Sequence, residues 1–191
     1  GFTGPGGVGK TTLIDEWVRS VLEDQQDTRI AILSHDPSSV ERGGLLGDRA
    51  SMVYSHDDRV FLRSLATRGQ QGGLSSATEE CLSWLVSEEA NFDYVFVETV
   101  GAGQETLPFG SRLVDKKVLV LHPEYGARLQ LEKILMVDQA DVLVVNKSDY
   151  AGSVRASEEL QNIVPDTPVI LTQASQCRDP GVVQLRKELL A

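Results

Sequence analysis

The sequence predicts an α/β fold, a mostly parallel open sheet with helices on both faces. Three observations predict it. Short apolar runs alternate with helical patterns along the 191 residues. Most of the runs are continuous Val, Ile and Leu without polar alternation, as in strands buried on both faces. A complete G-x-x-x-x-G-K-[ST] sequence lies between the first apolar residues and the first helical pattern, the place of a strand–loop–helix unit.

Each element follows from its own residues. Only Gly1-Phe2-Thr3 precede the glycine loop, and the chain lacks an initiator Met. The first strand is therefore expected to be truncated, and residues 1–191 are expected to be one domain excised from a longer polypeptide. A helix over 10–23 carries Leu13, Trp17, Val18, Val21 and Leu22 as one apolar stripe. Strands are expected at 30–34 and 60–62. A helix near 74–90 opens on Ser76-Ala77-Thr78-Glu79, the pattern of a capping box. Tyr94–Glu98, Val118–Leu121, Val142–Asn146 and Val169–Thr172 read as further strands. Helices near 129–137, 154–163 and 182–190 fall after the last three of them. Such alternation implies right-handed crossovers between parallel strands.

Composition narrows the function classes. Hydrophobic residues make up 41% and charged residues 24%, which excludes a disordered chain. Eighteen basic against 28 acidic residues give a net charge of −10, which argues against a generic nucleic-acid binder. No run approaches the length of a membrane span. Cys81 and Cys177 stand alone and far apart, which suits a reducing, cytoplasmic setting.

Gly4-Pro5-Gly6-Gly7-Val8-Gly9-Lys10-Thr11 is the phosphate-loop sequence. Its glycines let backbone N–H groups curl around phosphate oxygens, and the following helix adds the positive end of its dipole. Gly4, Gly6, Gly7, Val8, Gly9, Lys10, Thr11 and Thr12 are the expected phosphate contacts. Lys10 would reach the β- and γ-phosphates, and the Thr11 hydroxyl would ligate Mg²⁺. Asn146-Lys147-Ser148-Asp149 follows a late strand and has the N-K-x-D pattern of GTP-binding proteins. Asp149 can accept from both guanine N1–H and the 2-amino group; adenine offers no such pair. Lys147 can lay its stem along the base, and Asn146 can tie the base edge to the phosphate loop. Thr172-Gln173-Ala174-Ser175 ends the last strand, and Ala174 N–H is placed for the guanine oxygen.

Glu98-Thr99-Val100-Gly101 closes an apolar strand in the layout of a Walker B segment, with Glu98 in place of Asp. Glu98 is expected to hold a Mg²⁺-bound water or place the attacking water. Gly101 can approach a γ-phosphate because it has no side chain. Asp36, at the end of the second strand, and Asp48, after a glycine-rich loop, are further Mg²⁺ candidates; turn and cap aspartates are the alternative for both. His35 beside Asp36 reads as a structural histidine.

Together these motifs resemble a known family. Asp36-Pro37-Ser38-Ser39, Gly43-Gly44-Leu45-Leu46-Gly47-Asp48-Arg49, Glu98 through Gln104 and Asn146-Lys147-Ser148-Asp149 look like the MeaB/MMAA/ArgK family. These are G-protein chaperones of adenosylcobalamin-dependent acyl-CoA mutases. Arg63-Ser64-Leu65-Ala66-Thr67-Arg68 and Glu124-Tyr125-Gly126-Ala127 with Gln130-Leu131-Glu132-Lys133 look closer to the G domain of fused isobutyryl-CoA mutases and its stand-alone relatives. The resemblance implies a SIMIBI-type P-loop fold, GTP and GDP binding, slow Mg²⁺-dependent hydrolysis, and gating of adenosylcobalamin delivery to a mutase. It implies Lys10, Glu98 and Gly101 as catalytic residues, Thr11, Asp36, Asp48 and Glu98 around the metal, and Glu124, Tyr125 and Lys133 in a third switch. The Asp36-to-Asp48 loop is shorter than the family's. Adenosylcobalamin would be met only through the partner or another domain, since no D-x-H-x-x-G sequence occurs. The family's dimerising extensions are absent, so both a monomer and a homodimer stay open. The alternatives are a GTPase that delivers a metal such as nickel, or a nucleotide switch with little hydrolysis.

Overall fold

A computed structural model describes residues 1–37, 52–70, 72–101, 108–110, 113–124 and 134–190. Among these residues seven strands form one sheet: β1 (Phe2–Thr3), β2 (Ile30–Asp36), β3 (Val60–Ala66), β4 (Tyr94–Glu98), β5 (Val118–Leu121), β6 (Val142–Asn146) and β7 (Val169–Thr172). Their order is β3-β2-β4-β1-β5-β6-β7, and every pairing is parallel. Among the described residues five helices accompany them: α1 (Lys10–Asp24), α2 (Thr78–Leu85), α3 (Ile134–Asp138), α4 (Ser153–Ile163) and α5 (Pro180–Leu190). A 3₁₀ turn spans Val53–His56.

Alternation along the strands builds two apolar layers from continuous apolar runs. Ile30, Ile32, Val118, Val120, Val142 and Val144 join α1 and α5 in one core. Ala31, Leu33 and Val97 meet α2, and Leu119, Leu121, Leu143 and Val145 meet α3 and α4, on the opposite face. Trp17 of α1 is the largest buried side chain, edge-on to Phe96 at 4.6 Å and to Tyr94 at 5.1 Å. Rings at such angles add stabilisation beyond their buried area. Helix α1 stops where Gln25 turns extended and its N–H closes on the Val21 carbonyl.

Three elements differ from the sequence expectation. Strands β2 and β3 run on to Asp36 and Ala66, paired through seven registers. Strand β3 lies at the sheet edge, so Phe61 and Arg63 face outward and the apolar run ends early although the strand continues. The expected capping box is not formed: Ala77 is the N-cap of α2, and the Thr78 hydroxyl donates to the Ser75 carbonyl at 2.6 Å. Helix α2 is also shorter than expected, ending at Leu85. For the helix expected near 129–137, only Ile134–Asp138 lies within the described residues. Among them, no helix is long and apolar enough to cross a membrane.

Candidate functional site

Strands β1, β2, β4, β6 and β7 deliver their carboxyl ends to one edge of the sheet, where open α/β sheets bind ligands. The chain leaves β1 at Gly4, forms the glycine loop and enters α1 at Lys10. Gly9 is the N-cap, with φ +91°. A Cβ there would lie 2.5 Å from Asn146 Nδ2, so both conformation and contact require glycine.

Lys10 Nζ donates to the Gly4 carbonyl at 2.9 Å and the Pro5 carbonyl at 3.2 Å. The ammonium thus sits inside its own loop, aimed where phosphate oxygens would lie. Burial lowers its pKa, and the Glu98 carboxylate partly offsets this. Thr11 Oγ1 donates to Glu98 Oε1 at 2.6 Å, and Ser34 Oγ donates to Glu98 Oε2 at 3.2 Å. Thr12 points to solvent. Gly101 lies against the glycine loop: a Cβ on it would be 2.5 Å from Gly6 Cα and 3.1 Å from Lys10 Nζ. No side chain fits there without moving the loop.

Asp36 is buried at the end of β2, and its carbonyl accepts from both Thr67 N–H and Thr67 Oγ1. Ser34 pairs in register with Glu98, so Asp36 lies two residues beyond Glu98 along the neighbouring strand. The oxygens of Thr11, Glu98 and Asp36 suit a hard cation that keeps several waters, as Mg²⁺ does. The Thr11–Glu98 contact puts two of these donors side by side already, so the residues present fit the ion. Asp48, the fourth candidate, lies outside the described residues.

Asn146 joins the two halves of the site. Its Nδ2 donates to the Val8 carbonyl at 2.8 Å, and its Oδ1 accepts from Thr172 Oγ1 at 2.9 Å and Ala174 N–H at 3.1 Å. Lys147 takes φ +59° and sends Nζ to the Gly7 carbonyl at 2.8 Å. Its ammonium lies 5.9 Å from the Tyr150 ring centre. Asp149 is exposed beside them. The phosphate loop, N-K-x-D and the Ala174 turn are therefore one connected surface. Glu124 is exposed beyond β5, its N–H donating to His122 Nδ1 at 3.2 Å; Tyr125 and Lys133 lie outside the described residues.

Sequence reasoning missed several supports. Ser34 braces Glu98 from the next strand, and Thr99 Oγ1 donates to Thr3 Oγ1 at 2.9 Å. His35 is buried, with Nδ1 2.8 Å from the Glu98 carbonyl oxygen and Nε2 2.8 Å from Thr78 Oγ1. A carbonyl only accepts, so Nδ1 carries the proton in the neutral ring, and the one Thr78 hydroxyl proton is shared between Nε2 and the Ser75 carbonyl. Burial lowers the His35 pKa, and the bond to Glu98 partly offsets this. The five-pair register of β2 against β4, ending at Ser34 opposite Glu98, carries the signal for Ser34 and His35, but register is set by pairing and not by local sequence.

Residues 1–183 match the family described as methylmalonyl-CoA mutase-associated GTPase MeaB. The chain belongs to the MeaB family. It is 42% identical over 193 residues to a fused isobutyryl-CoA mutase of Geobacillus kaustophilus, covering 95% of this chain and 18% of that protein. It is 37% identical over 151 residues to the mitochondrial methylmalonic aciduria type A homolog of Mus musculus, covering 78% and 35%. This MeaB-family chain thus spans less than a fifth of the fused mutase it matches. A crystal structure of HypB from Helicobacter pylori in complex with nickel shares the fold, with a TM-score of 0.70 at 18% identity over 99% of this chain and 83% of that one. The architecture is that of a SIMIBI-type P-loop GTPase, as the sequence predicts.

Proposed function

We propose that this chain binds GTP and GDP with Mg²⁺, hydrolyses GTP slowly, and gates adenosylcobalamin delivery to an acyl-CoA mutase. The observation that carries the nucleotide reading is the Asn146 bond to the Val8 carbonyl, with Lys147 bonded to Gly7 beside it. It sets the N-K-x-D residues directly against the glycine loop, which supports a guanine nucleotide as ligand. The mutase reading is supported by the family description and by the relatives that bear the same stretch inside a fused mutase. The likeness to HypB lies in the fold and carries no cargo to this chain.

The residues divide the chemistry. The glycine-loop N–H groups and Lys10 hold the β- and γ-phosphates, with Lys10 exchanging two carbonyl partners for phosphate oxygens. Thr11, Glu98 and Asp36 would hold Mg²⁺, which when bound neutralises charge on the transferring phosphoryl group. Glu98 is held on both oxygens, so its carboxylate keeps a fixed orientation toward a water. Gly101 is close enough to the loop for a γ-phosphate to pull on its backbone. GDP lacks that group, and this difference is what a loading signal needs. Glu124, Tyr125 and Lys133, the third-switch residues, would pass the change to the mutase.

The test is multiple-turnover GTP hydrolysis with and without an isobutyryl-CoA or methylmalonyl-CoA mutase. The reading expects slow basal hydrolysis, stimulation by the cognate mutase, and loss of that stimulation with unchanged GDP affinity in Lys133→Ala. A rate indifferent to every such mutase would refute the gating role.

A further inference from the structure

Glu16 lies in α1 six residues beyond Lys10, about 9 Å along the helix, and outside the nucleotide contacts described above. Its carboxylate is fully engaged although the residue is 8% exposed. Arg19 Nε donates to Oε2 and Arg19 Nη2 to Oε1, both at 2.7 Å. Arg19 itself is 4% exposed, with Nη1 2.6 Å from Glu23 Oε1. The third partner is distant in sequence: Arg178 N–H donates to Glu16 Oε1 at 2.6 Å. Arg178 is not glycine, yet its φ is +61°, so this part of the loop is held in a costly conformation.

Arg178 ends the loop that starts with Gln173 and Ala174. The loop's beginning is held separately. Buried Asp179 accepts Gln173 N–H on both oxygens at 3.1 Å, and Asn146 accepts Ala174 N–H. The far end is tied to α1 through Glu16. A buried ion pair adds little net stability for the desolvation it needs, and positional specificity is one reason to retain it. A carboxylate that accepts a backbone N–H of this loop, braced by its own arginine, supplies such specificity.

We infer that Glu16, braced by Arg19, is a positioning residue for guanine recognition: it anchors the far end of the 173–179 loop so that Ala174 N–H, held by Asn146 Oδ1, can turn to the base. The inference rests on the guanine-nucleotide reading proposed above. The same helix begins in the phosphate loop at Lys10 and Thr11. One rigid element therefore sets the distance between the phosphate grip and the base loop.

Calorimetry with GDP and with ADP tests this on the wild type, Glu16→Asp and Glu16→Gln, with melting temperatures recorded for each. Glu16→Asp keeps the charge for Arg19 but withdraws the oxygen from Arg178 N–H. Glu16→Gln keeps an oxygen within reach of it. Loss of one such bond should lower the GDP-to-ADP affinity ratio by about tenfold in Glu16→Asp. ADP affinity itself should stay within about twofold, and Glu16→Gln should keep most of the ratio, on the same arithmetic. Hydrogen exchange should rise across 173–179 in Glu16→Asp alone. A ratio unchanged in both variants, or GDP and ADP weakened equally, would overturn the positioning role. A wild type that binds GDP and ADP alike would overturn the guanine reading and this inference with it.

Discussion

The Thr11 hydroxyl donates a 2.6 Å hydrogen bond to the Glu98 carboxylate, joining the first turn of α1 to the last residue of β4 across 87 positions of sequence. Two of the groups proposed for the metal are thus already neighbours, and the strand that leads to Gly101 is coupled to the helix that follows the glycine loop. Glu98→Gln keeps an acceptor for Thr11 but removes the charge. It should reduce single-turnover GTP hydrolysis by about 10²-fold, in the range of a lost acid–base or water-placing group. GDP affinity should change by less than about tenfold, since GDP has no γ-phosphate to share the site. Quenched-flow hydrolysis with a binding titration checks both numbers.

Gly101→Ala should act through space alone. Its Cβ would approach Gly6 Cα to 2.5 Å and Gly6 N to 2.7 Å, and both are backbone atoms. Overpacking of this kind costs about 1–3 kcal/mol. The strain falls on the loop that holds triphosphate, so a non-hydrolysable GTP analogue should lose affinity, and the melting temperature should drop.

Asn146→Ala removes three hydrogen bonds and leaves Val8 O, Thr172 Oγ1 and Ala174 N–H without this partner. The expected loss is about 2–4 kcal/mol, from the general cost of stranding buried polar groups. Urea unfolding should show it without nucleotide. Asn146→Asp should be milder at Thr172 and Ala174 but should lose the donor to Val8.

The pH dependence of stability has a definite sign at His35. Burial lowers its pKa in the folded state below the ordinary imidazole value of about 6.5. The unfolded chain then binds more protons, so this contribution is complete above about pH 6.5 and is lost as the pH falls toward the lowered folded value. His35→Gln should flatten the decline between about pH 7.5 and 5 while lowering stability at the upper end. Asp15 has the opposite sense, its pKa raised by burial, and it is common to both proteins in the comparison. Urea midpoints at several pH values measure the difference; equal slopes would exclude His35 as the titrating group.

Much of the fold was legible because its signals are local. Continuous apolar runs marked β4 to β7 to the residue, and the stripe through Leu13 and Trp17 marked α1. Edge strand β3 was only half legible, since Arg63 and Ser64 interrupt the apolar run after Leu62. The cap of α2 was misread because a Ser/Thr-rich stretch offers several local hydrogen bonds, and Thr78 donates backward to Ser75. At the site, the phosphate loop and N-K-x-D are spelled in contiguous residues, and the fold brings them together at Asn146 and Val8. Ser34, Glu16 and Asp179 have no such spelling. They act through register and tertiary contact, which no window of sequence contains.

The central claim, a site that reads guanine, is tested most directly by calorimetry of Asp149→Asn against GDP and xanthosine diphosphate. A carboxylate at 149 accepts from N1–H and the 2-amino group of guanine, whereas an amide can donate to the 2-oxo group of xanthine. The substitution should weaken GDP by at least about 10²-fold, because a site built on hydrogen bonds rejects a mismatched partner strongly. Xanthosine diphosphate should bind the variant more tightly than the wild type. GDP affinity unchanged by Asp149→Asn, with no gain for xanthosine diphosphate, would contradict that claim.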